Sequence, residues 1–144
     1  MKRILPVSDI SSIRAILGRD GIYDILAYDG SPSLQDYVPS GVWLALFESD
    51  DIAGIINLDQ LNNVMWQAHI FIFSQFRGNG SEQWGIQAAQ YMAEHGAKKI
   101  LAITPYESAK RYAERMGMKN TCILTNSIRK NGQLLDQWLL EKTL

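Results

Sequence analysis

The chain contains little cysteine and little histidine: one cysteine, Cys122, and two histidines among 144 residues. A single cysteine cannot form an internal disulfide, and no cluster of cysteine and histidine has the spacing of metal ligands. The residues around Cys122, NTCILTN, are typical of a strand, so we expect this cysteine to pack as a small hydrophobic residue. The sequence therefore predicts neither a disulfide-stabilised fold nor a bound metal.

Long hydrophobic runs and excess charge of one sign are also missing. The formal net charge of −1 gives no electrostatic basis for binding nucleic acid. No apolar run approaches the ~20 residues of a transmembrane helix, and the first residues, MKRILPVSDI, lack the apolar stretch of a signal peptide. With 47% hydrophobic and 20% charged residues, the composition is that of an ordinary soluble domain. We expect one domain over residues 1–144, located in the cytoplasm, with no nucleic-acid or membrane partner.

What the sequence does contain is an alternation of strand and helix patterns. Strand-like segments lie at 2–7, 42–48, 52–59, 63–73, 98–105, 118–128 and 133–142. Helix-like segments lie at 8–21 (capped by Ser8 or Asp9 and ended by Gly18 or Gly21), within the loose segment 28–41 at about 33–38, at 81–95 and at 106–117. The helix at 81–95 crosses over between two strands, which should therefore run parallel. The predicted order is β-α-α-β-β-β-α-β-α-β-β, an α/β fold with a mixed sheet.

A glycine-rich turn, FRGNGSEQ (76–83), joins the strand at 63–73 to the following helix. Gly78 and Gly80 allow positive φ and close approach of a ligand to the backbone, and the helix start adds a positive dipole. Arg77 can donate two parallel hydrogen bonds to a phosphate. The turn lacks the lysine of a P-loop and the third glycine of a dinucleotide-binding fingerprint, which disfavours an unrelated nucleotide-binding domain. These features predict a pyrophosphate site.

The chain resembles the GNAT superfamily of N-acetyltransferases, well over about 42–144 and loosely before that. The resemblance is carried by HIFIFSQFRGNGS, by ILAITPYESAKRYAERMGM and by the tail KNGQLLDQWLL with Asp136. It implies an acetyl-CoA-dependent N-acyltransferase in which the two central parallel strands splay apart and hold coenzyme A. Members encoded in phage genomes are familiar, so a phage origin is one expectation.

The resemblance also implies the residues that bind the cofactor. The arm of coenzyme A would lie along Phe71, Ile72 and Phe73. The pyrophosphate would meet Arg77, Gly78, Asn79, Gly80 and Ser81. The helix that starts near Tyr106 and contains Ala109 would flank the thioester.

Two positions depart from the family pattern. Glu82 stands where the last small residue of the glycine turn is usual, although a register shifted to Gln75 satisfies the pattern. A ligand-free alternative makes Asn79 the N-cap of the helix and Glu82 its third residue, which would form a capping pair. Ala113 stands where the family has a tyrosine on the last helix.

The chemistry requires a base for the attacking amine and an acid for the leaving thiolate. His69 is the candidate base, on one strand face with Gln67 and Phe71; the alternative is a half-buried histidine that a hydrogen bond satisfies. Tyr112 and Tyr106 are the candidate acids, and either could instead simply pack. The acceptor is expected to be a small-molecule or protein amine, and the oligomeric state is left open, with a homodimer as one option. The competing hypothesis is a GNAT-shaped protein without catalysis that serves as an interaction or structural component, favoured by Glu82 and Ala113.

Overall fold

Seven strands and four α-helices form over residues 1–78 and 80–144, which a computed structural model describes. The strands are β1 (Lys2–Pro6), β2 (Val42–Glu48), β3 (Asp51–Gln60), β4 (Met65–Ile72), β5 (Lys99–Thr104), β6 (Lys119–Lys130) and β7 (Gln133–Thr143). The helices are α1 (Ile10–Leu17), α2 (Ile22–Leu26), α3 (Glu82–Glu94) and α4 (Glu107–Arg115). All strands join one mixed sheet in the order β1-β2-β3-β4-β5-β7-β6.

The pairing of β4 with β5 is parallel and short. Residues Met65–Gln67 of β4 pair with Lys99–Leu101 of β5, whereas every other neighbouring pair of strands is antiparallel. After Gln67, β4 pairs only with β3, and after Leu101, β5 pairs only with β7. The predicted element order and the predicted splay of the central parallel pair are both confirmed.

The sheet has a hydrophobic layer on each face, because strand side chains alternate between faces. One layer packs against α1 and α2 and contains Ile13, Ile16, Leu17, Ile22, Trp43, Ala45, Ile55 and Phe73. The other packs against α3 and contains Leu44, Leu46, Ile56, Leu58, Trp66, Ile72, Trp84, Ala88, Met92 and Ile100. Even-numbered residues of β4 face α3, and odd-numbered residues face α1 and α2, which decides where the polar side chains of this strand lie.

The first helix begins as predicted, whereas the second lies elsewhere. Asp9 caps α1 by accepting a hydrogen bond from the Ser12 amide at 3.1 Å. The helix expected at about 33–38 is wrong: that segment forms a turn in which the Asp36 amide donates to the Ser33 carbonyl. The second helix is instead the short α2, which follows Gly21 at φ 68° and buries Ile22. The residues at 33–38 form a turn because this part of the chain is rich in proline, serine and aspartate, which favour turns. The helix α2 forms because its apolar residues are buried against the sheet.

Two further observations concern the surface. Cys122 is exposed rather than packed, because β6 is an edge strand on which most residues are exposed. The expectation that it would act as a buried hydrophobic residue is therefore wrong. Within the part of the chain that is described, no helix is both long enough and apolar enough to cross a membrane.

Candidate active site

A cavity of about 920 Å³ opens where β4 and β5 part. Its walls include His69 and Phe71 from the face that carries α1 and α2, and Ala88 and Tyr112 from the face that carries α3 and α4. The cavity therefore passes through the sheet and connects its two faces. A thin molecule can reach the gap from one face and meet a second molecule that enters from the other.

His69 lies on the wall of this cavity, on the same face as Gln67 and Phe71. The Gln67 amide nitrogen is 3.1 Å from His69 Nε2, and the imidazole stacks on the Phe71 ring with 6.5 Å between centroids. An amide nitrogen only donates hydrogen bonds, so His69 Nε2 accepts here and the ring proton is on Nδ1. The lone pair that could take up a proton is thus oriented by a neighbouring side chain.

The surroundings of His69 keep it neutral near pH 7. Burial lowers the pKa of His69 below its ordinary value, and the negative charge of Asp59 opposes that effect. Asn57 lies directly opposite His69 on β3 and is buried, with its amide nitrogen donating to the Ser40 carbonyl at 3.0 Å. A neutral imidazole in a polar patch can accept a proton from an amine.

The side chains of Phe71, Ile72 and Phe73, the three residues predicted to line the coenzyme A arm, lie in different surroundings. Phe71 lines the cavity with its side chain, whereas the side chains of Ile72 and Phe73 lie in the two hydrophobic layers. The Phe73 amide already donates to the Ala53 carbonyl at 2.8 Å. Of these three residues, Phe71 is therefore the one whose side chain faces the gap.

The two glycines of the turn have the positive φ that the sequence predicts. Gly78 and Gly80 have φ of 113° and 81°, in the region that favours glycine. Arg77 is exposed and donates through Nε to the Ile72 carbonyl at 2.9 Å, which holds its guanidinium beside the turn. Ser81 is buried, and its amide donates to the Gly78 carbonyl at 3.1 Å. Asn79, the remaining residue of the predicted pyrophosphate site, lies outside the described residues.

Glu82 is the first residue of α3, and Ser81 is the N-cap. The predicted position of Glu82 as the third helical residue is therefore wrong. The Glu82 carboxylate accepts hydrogen bonds from its own amide and from Arg115 Nε at 2.9 Å, and both lower its pKa. The guanidinium of Arg115 also lies 5.6 Å from the centre of the Tyr112 ring. The carboxylate is thus neutralised by a cation of α4.

Lys2 is a third cation near the turn that the sequence pattern did not indicate. A side chain at Gly80 would place its Cβ 3.4 Å from Lys2 Nζ, which also pairs with Glu48 at 3.3 Å. Lys2 is the first residue of β1, and no local pattern relates it to a turn 78 residues later. Three cations therefore lie near the turn: Lys2, Arg77 and Arg115. Two of them also pair with carboxylates, Lys2 with Glu48 and Arg115 with Glu82.

The candidate residues of α4 all line the cavity, but the two tyrosines have different partners. The Tyr112 hydroxyl donates to the Ser81 carbonyl at 2.8 Å, and burial raises the pKa of Tyr112 to about 12. Within residues 1–78 and 80–144, the one hydrogen-bond partner of the Tyr106 hydroxyl is the Ile25 carbonyl, at the long distance of 3.5 Å. Ala109 lies between them on the helix. Tyr112 thus lies by the start of α3, and Tyr106 lies by α2.

Ala113, the second departure from the family pattern, is buried, and both Ala113 and the neighbouring Tyr112 line the cavity. Gly85 of α3 makes room for this arrangement. A Cβ at Gly85 would lie 2.9 Å from the Tyr112 hydroxyl and 2.7 Å from Met116 Cε. The close approach of α3 to α4 thus allows a tyrosine one position earlier to reach the cavity.

Asp59 and Asn57 of β3 are cavity residues that the sequence reasoning missed. They lie two positions apart in an otherwise apolar strand, IINLD, so they share one face. That alternation is the signal that could have identified them.

Replacing Glu82 with glutamine is expected to tighten the binding of coenzyme A by up to about fivefold at low salt, the scale of an exposed ion pair. The substitution removes a like charge beside the pyrophosphate and releases Arg115 from its partner. Titration calorimetry at two salt concentrations measures the effect, which should shrink as salt is added. Glu94→Gln removes the same charge from the exposed far end of α3 and should change the affinity little. Weaker binding in Glu82→Gln would show that the carboxylate organises the site.

Comparison with solved structures places this architecture among the acetyltransferases of the GNAT family. A spermidine N-acetyltransferase from Vibrio cholerae, in complex with CoA and spermine, aligns with a TM-score of 0.78 and 15% identity over 99% of this chain and 95% of that one. A GNAT family acetyltransferase from Elizabethkingia anophelis with acetyl-CoA bound gives 0.71 and 22% over 99% and 98%. A ribosomal-protein-alanine N-acetyltransferase from Brucella melitensis gives 0.76 and 14% over 99% of both chains. No protein-family model and no curated protein matches the sequence. The fold is that of the GNAT acetyltransferases.

Proposed function

We propose that this protein is an N-acetyltransferase that transfers the acetyl group of acetyl-CoA to an amine. The observation that carries the proposal is the parting of β4 from β5 after Gln67, which opens a cavity through the sheet. A turn with two positive-φ glycines precedes α3, whose residues line the cavity, and a histidine that burial keeps neutral lies on the wall formed by β4. Two substrates can meet in such a gap without passing each other.

The residues present fit coenzyme A. Gly78 has open space around the position of a Cβ, so a ligand can approach its backbone. Lys2, Arg77 and Arg115 supply the positive charge that a pyrophosphate requires. Beyond Gln67, β4 has no strand partner on its β5 side among the described residues, so its backbone can bind an extended arm as an added strand would. When bound, acetyl-CoA supplies a thioester as the acyl donor.

His69 is the proposed base. An amine attacks only when it is neutral, and His69 Nε2 can take up its proton once the acceptor displaces the Gln67 amide. Backbone amides of β4 in the gap are the proposed donors to the oxygen that becomes negative during attack. Burial keeps the imidazole unprotonated near pH 7 and therefore ready to accept.

Tyr106 is the better-placed of the two candidate acids. Tyr112 keeps its proton, since its pKa is raised to about 12, but that proton is held by the Ser81 carbonyl. The Tyr106 hydroxyl, with its single long contact, can turn toward the cavity to protonate a leaving thiolate. Tyr112 then serves to position the start of α3 beside the cofactor.

The proposed acceptor is a small-molecule or protein amine, and the names of the similar structures include both kinds. The alternative of an inactive protein rested on Glu82 and Ala113. Arg115 neutralises Glu82, and Tyr106 is the proposed acid in place of a tyrosine at Ala113, so neither residue argues against catalysis. The cytoplasmic location and the phage origin stay predictions from the sequence.

The test is release of free thiol from acetyl-CoA in the presence of a panel of amines, including diamines, monoamines and peptides with free N-termini. We expect release to depend on the amine. Absence of release with every amine, in a protein that does not bind acetyl-CoA, would overturn the proposal.

A further inference from the structure

Asp59 differs from the other charged side chains that line the cavity. Five charged residues line the cavity, two acidic and three basic. Four of them are bound to backbone groups: Asp29, Arg129, Lys130 and Lys142. Among the described residues, Asp59 has neither a hydrogen bond nor an ion pair, although it is partly buried. A partly buried carboxylate favours a cation nearby, so the missing partner points to the ligand.

The position of Asp59 relative to His69 sets the distance at which a cation would lie. Asp59 lies opposite Gln67, and Asn57 lies opposite His69, so Asp59 is the diagonal neighbour of the proposed base. Diagonal neighbours on one sheet face are separated by about 7–8 Å between Cα atoms. The absence of a side chain at Gly41 makes space for the Asp59 carboxylate, because a Cβ at Gly41 would lie 2.5 Å from Asp59 Oδ1. The strand register therefore places Asp59 on the same cavity wall as His69, one diagonal step away.

Tyr37 is a further neighbour of this carboxylate. The pKa of Tyr37 is raised by burial first, and then by the nearby Tyr23, Asp59 and Tyr28, so these groups lie close together. The Tyr37 ring is fixed by edge contacts with Tyr23 at 5.3 Å and with Trp43 at 6.5 Å between centroids. Tyr28 and Tyr37 both line the cavity. A carboxylate beside aromatic rings is a suitable environment for an ammonium group.

The chemistry of the transfer decides which ammonium this is. The amine that attacks must be neutral, so it cannot serve as the cationic partner of Asp59 at that moment. An acceptor with one amine would leave the Asp59 carboxylate unpaired. An acceptor with two amines can place a neutral amine beside His69 and a protonated amine beside Asp59. We propose that Asp59 binds a second, protonated amine and thereby selects aliphatic diamines with a spacer of roughly the Asp59–His69 distance. This inference rests on the proposed acetyltransferase activity and names its acceptor class.

The test compares 1,5-diaminopentane with pentylamine, which has the same chain and one nitrogen fewer. The readouts are kcat/KM for thiol release and calorimetric binding of each amine to the protein saturated with CoA. In the wild type the diamine should be favoured about 10- to 100-fold, the range of a hydrogen bond to a charged group. In Asp59→Asn the ratio should fall to about one. Asp51→Asn, an exposed acid at the start of the same strand, should keep the wild-type ratio.

The outcomes separate this inference from the proposed function. Acetyl transfer with equal preference for the two amines, or a preference that Asp59→Asn retains, overturns the role of Asp59 and leaves the acetyltransferase proposal standing. If neither amine is acetylated, the binding measurements decide. A diamine that binds the CoA complex and loses affinity in Asp59→Asn supports the inference. A diamine that does not bind overturns it. A protein that does not bind CoA at all overturns the proposed function itself.

Discussion

His69→Gln is expected to lower the rate of acetyl transfer by about 100-fold, the lower end of what a general base contributes, while the affinity for CoA stays nearly unchanged. Glutamine keeps a polar group opposite Asn57 but cannot accept a proton at neutral pH. Steady-state thiol release and calorimetry measure the two quantities separately. His95→Gln is the matched control, because the other histidine is exposed at the end of α3 and should tolerate the change with normal turnover.

The pH dependence follows from the same burial. Since burial lowers the pKa of His69, the acid limb of kcat/KM should lie below about 6.5, the ordinary value. Between the folded and unfolded pKa values the unfolded chain binds more protons at this residue, so its contribution to stability is complete above about 6.5 and is lost as the pH falls. His69→Gln should remove both effects. Normal turnover in this variant would mean that His69 is only a half-buried histidine satisfied by Gln67.

Gly54→Ala is expected to destabilise the protein by about 3 kcal/mol, the upper part of the usual range for overpacking. Gly54 lies opposite Ile72, and a Cβ there would collide with the Phe71 carbonyl oxygen and approach Ile72 Cα to 3.0 Å. Both are backbone atoms, so β4 would have to move away from β3. That shift would deform the cavity wall at Phe71 and should also weaken CoA binding. Urea unfolding measures the loss of stability.

Gly30→Ala separates collision from backbone strain. Gly30 has φ of 91° and open space around the position of a Cβ, so its replacement should cost only about 1 kcal/mol of strain. If Gly54→Ala were no less stable than Gly30→Ala, the spacing of β3 and β4 would be more adaptable than the close packing at Gly54 indicates.

The element order could be predicted from sequence because the information is local. Apolar alternation identifies the strands, and the crossover by the helix at 81–95 fixes the parallel direction of β4 and β5. The second helix was misplaced because five residues are too few for a periodic pattern, and α2 depends on burial of Ile22 against the sheet. Cys122 was misjudged because a strand-like segment does not reveal whether its strand is at the edge of the sheet.

For the site, too, the local features could be predicted from the sequence and the contacts between distant segments could not. Period-two counting placed His69 on the face of Gln67, and glycine content predicted the positive φ of the turn, since both features are local. The ion pair of Glu82 with Arg115 and the position of Lys2 beside Gly80 depend on contacts between distant segments. Asp59 is a different case. The alternation of residues in the sequence shows that Asp59 shares a face with Asn57, but only the folded structure shows that no described residue pairs with its carboxylate.

The measurement that tests the central claim most directly is the stoichiometry of thiol released and acetylated amine formed, followed by mass spectrometry, when acetyl-CoA and a panel of amines are mixed with the protein. We predict equal amounts of the two products, little thiol without an amine, and a rate lowered about 100-fold in His69→Gln. Thiol release at the same rate without any amine, or an acetyl-CoA complex that transfers its acetyl group to no amine of the panel, would contradict the assignment of the gap between β4 and β5 as an N-acetyltransferase site.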